Sequence, residues 1–193
     1  MKEQLQKYGF MVVKNLYDVK NHTKRIPDLF QYTKEIKNKG EFDAQTPFAP
    51  SFHSNIEMCK VQIKVLTKLE EITDLKLYPT YTYFRIYNKK SILKRHSDRP
   101  ACQVSLTMNI GYEGDYNWAI WIKDNFGKEH EVFLEPGDAL VYMGCNNEHW
   151  REDADERVIC QSQVFMHYVI QDSEYEDQIY DLITERGMSI DEI

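Results

Sequence analysis

Cysteine is sparse in this chain. The four that occur, Cys59, Cys102, Cys145 and Cys160, include no close-spaced pair. No zinc knuckle or two-cysteine redox couple is therefore indicated, and reduced thiols in a cytoplasmic protein are the expectation. Long apolar runs are missing as well. The opening MKEQLQKYGF has no signal-peptide core, and no stretch approaches the length of a membrane span, so no membrane association is expected. Basic charge is in deficit, with 24 Lys and Arg against 31 Asp and Glu and a formal net charge of −7. A sequence-blind grip on nucleic acid needs clustered basic surface, and no nucleic-acid partner is expected. Glycine and proline number only 8 and 6. No repeat, low-complexity tract or flexible linker divides the chain, and one domain spans 1–193.

Aromatic residues are abundant: 13 Tyr, 9 Phe and 3 Trp. They suit β-structure around a lined pocket and an aromatic core equally. Up to about residue 75 the apolar spacing is mostly helical. YGFMVVKN reads as a short strand. HTKRIPDLFQYTKEIKNKG reads as a helix with Pro27 near its start and Gly40 past its end. FDAQTPFAPSFHS is a loop, and NIEMCKVQIKVLTKLEEI is a second helix. From Thr80 the period falls to two. TYTYFRIYN, SILKRH, CQVSLTMNIG, NWAIWIK, HEVFL, DALVYMG, EHWR and VICQSQVFMHYVI are predicted strands separated by turn-forming clusters. The tail SEYEDQIYDLITERG is predicted as a helix, with Ser173 and Glu176 as a capping box and Gly187 as its stop. About eight closely spaced strands with no helix between them make a two-sheet antiparallel structure. The fold class is mainly β with supporting helices: a double-stranded β-helix, or jelly roll, over about 80–170, preceded by helices and followed by one.

Within this frame RHSDRP carries chemistry. His96 and Asp98 lie two apart, and on a strand such residues project to one side. Alone, the pair also fits a surface histidine beside a turn aspartate. Downstream, LEPGDALVYMGCNNEHWRE places His149 on the seventh strand, which in a jelly roll pairs with the second strand that His96 would end. Two imidazoles and one carboxylate on one face leave about three coordination positions open, a set suited to Fe(II) and oxygen. Without a thiolate it is unlike a structural zinc site.

His96-x-Asp98, the later His149, the strand start Pro136-Gly137-Asp138 and a basic residue opening the last strand together resemble the Fe(II)- and 2-oxoglutarate-dependent dioxygenases, in particular their prolyl-hydroxylase-like branch. The resemblance covers roughly Tyr81 to Val169. It implies Fe(II) held by His96, Asp98 and His149, 2-oxoglutarate and O2 as cosubstrates, and ascorbate as an accessory reductant. The implied reaction is hydroxylation of a substrate C–H bond coupled to decarboxylation of 2-oxoglutarate to succinate and CO2. The substrate would be a protein or peptide residue or a small molecule. The resemblance also implies a basic residue for the far carboxylate of 2-oxoglutarate. Arg157 is expected there, or in a solvent ion pair within EDADERV, with Arg85 and Lys94 as substitutes. Gln163 and His167 would reach into the barrel from the last strand. Tyr87 matches a tyrosine that touches the cosubstrate in relatives, and equally a core tyrosine. Asn109 reads as a strand or turn asparagine, Arg99 as a substrate clamp or a surface partner. His22, His53 and His130 read as exposed or structural. YEGDYNWAIWI departs from the branch and places two tryptophans at the pocket wall. The competing readings are a cupin-type metalloenzyme that uses no oxo acid and a non-catalytic binding sandwich.

Overall fold

The computed structural model describes residues 2–180. All eight strands expected from residue 80 onward are present, and they divide between two antiparallel sheets. With β1 (Phe10–Val13), β2 (Ser51–His53), β3 (Leu77–Tyr87), β4 (Leu93–His96), β5 (Val104–Glu113), β6 (Ile120–Lys123), β7 (Glu129–Val132), β8 (Ala139–Met143), β9 (His149–Arg151) and β10 (Cys160–Ile170), the large sheet runs β1-β8-β5-β10-β3-β2 and the small one β4-β9-β6-β7. This is the double-stranded β-helix, with helices α1 (Lys2–Tyr8), α2 (Leu29–Ile36) and α3 (Ile56–Thr73).

The period-two pattern decides which way each strand faces. Phe84 and Ile86 of β3, Leu106 and Met108 of β5, and Val164 and Met166 of β10 join Leu29 and Phe30 of α2 and Met58, Val61, Val65 and Leu69 of α3 in one buried cluster. The alternate residues, Tyr81 to Tyr87 on β3, Ser105 to Asn109 on β5 and Gln161 to His167 on β10, turn to the inside of the roll. Burial of a whole helix face against a sheet, worth about 1.5–3 kcal/mol per large side chain, fixes the large sheet as the rigid wall on which the interior is built.

Three local expectations are revised, and a short helix, α1, stands where none was expected. Helix α2 starts at Leu29, later than expected. Pro27 disfavours helical backbone at the residue before it, and the Asp28 side chain caps the helix by accepting from Gln31 N. α1 is short, with only Leu5 buried, and it ends where Gly9 takes φ +81 and its N–H bonds Leu5 O. Part of the expected loop at 42–54 forms the edge strand β2, paired with Tyr83 to Arg85; Phe52 stacks on Phe84 with centroids 4.4 Å apart. At the tail, Glu176–Tyr180 is a 3-10 turn, and the rest of the helix expected there lies outside the described residues. Ser173 Oγ accepts from Tyr175 N, and the Glu176 carboxylate accepts from Asp172 N rather than Ser173 N. No helix among the described residues is long and apolar enough to cross a membrane.

The Pro136-Gly137-Asp138 turn ties β1 to β8. Gly137 has φ +89, and a Cβ there would meet Tyr17 O at 2.3 Å. The Asp138 carboxylate accepts from Asn15 N at 2.9 Å and Lys14 Nζ at 2.6 Å.

Candidate functional site

Antiparallel pairing of β4 with β9 sets His96 directly opposite His149, after a bulge between Leu93 and His96. The chain then leaves β4, and Asp98 is held by its own N–H, which donates to Gly144 O at 2.8 Å. Gly144 is needed at this crossing. A Cβ would come within 2.2 Å of Cys102 O and 2.6 Å of Asp98 Oδ2.

The three side chains converge. Asp98 Oδ1 lies 3.8 Å from His96 Nε2 and 3.6 Å from His149 Nε2, and the ring centroids of the two histidines are 4.3 Å apart. Each ring is oriented from behind: His96 Nδ1 donates to Lys94 O at 2.7 Å and His149 Nδ1 to Asn147 O at 3.1 Å. A carbonyl can only accept, so the proton sits on Nδ1 and both Nε2 lone pairs face Asp98. Burial lowers the pKa of His149, against the Asp98 carboxylate that raises it and with the His96 ring that lowers it further. The ring is thus neutral near pH 7, the state a metal requires. Two imidazoles and one carboxylate whose donor atoms lie within 4.8 Å of one another fit a divalent ion of the Fe(II) type.

A cavity of about 350 Å³ opens over these residues, with Tyr81, Tyr83, Tyr142 and Phe165 in its walls and Asp43, Gln45 and Arg85 across from the histidines. The Tyr142 hydroxyl reaches His149 Nε2 at 3.3 Å. Deeper in the roll is a second feature. Arg151 is two residues past His149 on β9, so both face inward. The residue is 2% exposed, and its guanidinium sits 5.4 Å from the Tyr87 ring and 4.9 Å from the Trp118 ring. Nη1 donates to Trp118 O, and no carboxylate pairs with it among the described residues. Burial pulls its pKa down to about 10, and it stays charged at neutral pH. Arg151 Nε and the Tyr87 hydroxyl, together with Gln163 Oε1 and Arg85 Nε, have no hydrogen-bond partner although they are buried. Unpaired buried polar atoms are costly. Of these, Arg151 Nε, Arg85 Nε and the Tyr87 hydroxyl are donors that an anion can satisfy, whereas the amide oxygen of Gln163 can only accept.

The other expected residues fall as follows. Arg157 is not brought to the site. It precedes β10, clasps Asp155 with contacts of 2.6–3.1 Å and lies over the Tyr116 ring at 4.0 Å. Lys94 is exposed on β4. Arg85 does line the cavity, but Asp43 at 2.9 Å and Gln45 at 2.7 Å already engage it. Tyr87 is fully buried beside Arg151. Gln163 and His167 reach inward as expected; Gln163 Nε2 donates to Thr107 Oγ1 at 2.8 Å. Asn109 is structural, bonding Leu134 O and, through its backbone, the Gly137-Asp138 turn. Arg99 lies over the Tyr81 ring at 4.9 Å. His22 bonds Glu57 and Tyr17, His53 stacks on Tyr81, and His130 bonds Asp124. Of the two tryptophans, Trp118 faces the interior, whereas Trp121 stacks on Trp150. Arg151 carried no expectation, although the same two-residue rule that links His96 to Asp98 links His149 to it.

No protein-family model and no curated protein sequence matches the chain. Its fold does match solved structures. A prolyl-4-hydroxylase of Pseudomonas putida superposes with a TM-score of 0.68 at 12% identity, covering 86% of this chain and 95% of that one. A Trichoplax adhaerens prolyl hydroxylase bound to a hypoxia-inducible-factor peptide fragment superposes with 0.68 at 12% identity, covering 93% and 89%. HygX of Streptomyces hygroscopicus, with nickel, 2-oxoglutarate and hygromycin B bound, gives 0.65 at 11% identity over 89% and 88%. The chain thus has the fold of the 2-oxoglutarate- and Fe(II)-dependent oxygenases.

Proposed function

We propose that this protein is an Fe(II)- and 2-oxoglutarate-dependent oxygenase in which His96, Asp98 and His149 hold the metal and Arg151, with Tyr87, receives the far carboxylate of 2-oxoglutarate. The observation that carries the reading is the pairing of two features in one interior. Three donor atoms converge, two of them imidazole nitrogens whose tautomers are set for a metal, and a buried guanidinium lacks an anion one strand step deeper. Two residues along a strand span about 6.6 Å, which is the reach of a five-carbon diacid chelated at one end. HygX holds nickel and 2-oxoglutarate in the same fold.

When bound, the metal and the oxo acid supply oxygen activation with decarboxylation to succinate and CO2, and insertion of an oxygen atom into a substrate C–H bond. The chain's own residues do the rest. Arg151 offers Nε and Nη donors to one carboxylate in the fork geometry that suits it. The Tyr87 hydroxyl donates to the same group. Once that anion is seated, the cost of burying Arg151 uncompensated is relieved. Leu93 and Phe165 put apolar surface into the wall of the cavity. Asp43 holds Tyr83 and Arg85 at the mouth by hydrogen bonds of 2.6 and 2.9 Å, so the entrance is already ordered. The cavity over the histidines has room for one substrate group, which suits a side chain of a peptide or a small molecule, and Arg151 and Tyr87 lie behind its lining.

The test is succinate formation by the protein supplied with Fe(II), 2-oxoglutarate and O2, beside anaerobic titration of 2-oxoglutarate into the Mn(II)-loaded form. Dependence on both metal and oxo acid, lost in His149→Ala, is expected. Metal binding without any 2-oxoglutarate binding would favour a cupin-type metalloenzyme, and failure to bind metal would leave only a binding sandwich.

A further inference from the structure

We infer that Ser105 and His167 are positioning residues that hold Asp98 to a one-oxygen grip on the metal. The inference rests on the metal-site reading above and adds two residues that the reaction scheme does not use. Ser105 on β5 is fully buried, and His167 on β10 is 6% exposed. Ser105 Oγ lies 2.7 Å from Asp98 Oδ2, 3.2 Å from Cys102 O and 3.0 Å from His167 Nδ1.

A hydroxyl has one proton to give. The carboxylate and the carbonyl can only accept, and the nearer, charged Asp98 Oδ2 is the stronger acceptor. With that proton committed, Nδ1 of His167 must be the donor to Ser105 Oγ. An unprotonated Nδ1 would claim the hydroxyl proton and leave two oxygens 2.7 Å apart with no hydrogen between them. The order is therefore His167 Nδ1–H to Ser105, and Ser105 O–H to Asp98 Oδ2.

The consequence falls on Asp98. Oδ1 is the oxygen that faces both Nε2 atoms, while Oδ2 is tied to Ser105. Two-oxygen chelation would have to break that bond. Gly144 completes the arrangement, because a Cβ there would lie 2.6 Å from Asp98 Oδ2 and 2.7 Å from Ser105 Oγ. A one-oxygen carboxylate keeps the protein's share of the coordination sphere at three atoms, so two positions stay open for the oxo acid and one for oxygen.

The test uses Co(II) as a spectroscopic probe of the whole protein. Ser105→Ala is expected to weaken Co(II) binding about 10- to 100-fold, the range for loss of a hydrogen bond to a ligand. It should also change the intensity of the visible d–d bands and blunt their response to 2-oxoglutarate. His167→Phe, which removes the Nδ1 donor and keeps a ring, should shift the same bands in the same direction, and it serves as the second variant if Ser105→Ala misfolds. Nitrogen-15 NMR of the metal-free wild type should report His167 protonated at Nδ1. An Nε2-protonated His167 overturns the inference, as do variants whose Co(II) affinity and spectra match wild type. Both of those leave the metal-site reading standing. A wild-type protein that binds no Co(II) overturns the two together.

Discussion

Replacing Arg151 by Met separates the ligand-free protein from the loaded one. Burial lowers the Arg151 pKa from its ordinary 12.5 to about 10. At about 1.4 kcal/mol per unit, the uncompensated charge costs roughly 3 kcal/mol at neutral pH. A base whose folded pKa is depressed costs stability at every pH below that pKa, so this burden is present throughout the working range. Methionine fills the space of the stem without the charge. The Trp118 carbonyl keeps a donor, because Gln161 Nε2 also reaches it at 3.2 Å. The metal-free variant should therefore melt at or above the wild-type temperature, by up to roughly 3 kcal/mol or about 6–12 °C at the 2–4 °C per kcal/mol usual for this size. 2-Oxoglutarate affinity should move the other way. Loss of two charge-assisted hydrogen bonds at about 1.5–3 kcal/mol each weakens binding by at least about 100-fold. Thermal melts of the metal-free form and anaerobic titration of 2-oxoglutarate into the Mn(II) form read the two effects independently. A variant that is several degrees less stable and binds 2-oxoglutarate like wild type would refute the reasoning, since Arg151 would then be a structural cation.

Other perturbations have equally definite outcomes. His149→Ala or His96→Ala should abolish tight Co(II) binding, measured by calorimetry, with the far-UV spectrum retained. Arg157→Ala should leave the 2-oxoglutarate requirement for succinate formation unchanged, because its partner is Asp155 at the surface. Gly144→Ala should lower both the melting temperature and the metal affinity, because the added carbon has backbone in its way. Asp43 is held at about 2: burial raises it, but the Tyr83 hydroxyl, the Thr46 N–H and the Arg85 guanidinium together lower it further. A depressed carboxyl stabilises the fold above its unfolded pKa near 4 and loses that contribution as pH falls toward 2. Allowing for its one-third exposure, about 1 kcal/mol should disappear over that window. Urea midpoints at pH 5 and pH 3 should differ less in Asp43→Asn than in wild type.

The jelly roll was legible because strands such as Val104–Glu113 alternate apolar with polar residues and the turns between strands carry Gly, Pro, Asn and Asp. Leu93 to His96 and His149 to Arg151 are short, yet their pairing follows from the topology, which is how two histidines far apart in sequence could be placed face to face. What was not legible has physical causes. β2 has too few residues to show a period and exists because β3 offers it an edge. α1 buries only Leu5, too little for a hydrophobic stripe. The tie from Asp98 through Ser105 to His167 depends on one hydroxyl's orientation, which no spacing encodes. Arg157 sits near the start of the last strand in sequence, but that strand begins at Cys160, and the acidic loop before it supplies Asp155 as a nearer partner. Arg151 is different: the two-residue rule applied to His149 would have found it.

β9 is only three residues long, and on the reading proposed here its first side chain holds the metal to which one end of a small molecule binds, while its last grasps the other end. Backbone covalent geometry then works as a gauge. Oxaloacetate falls one methylene short of the guanidinium once its oxo acid end is on the metal, and 2-oxoadipate overshoots it by one. Selection among dicarboxylic oxo acids is thereby built into the pitch of a single strand.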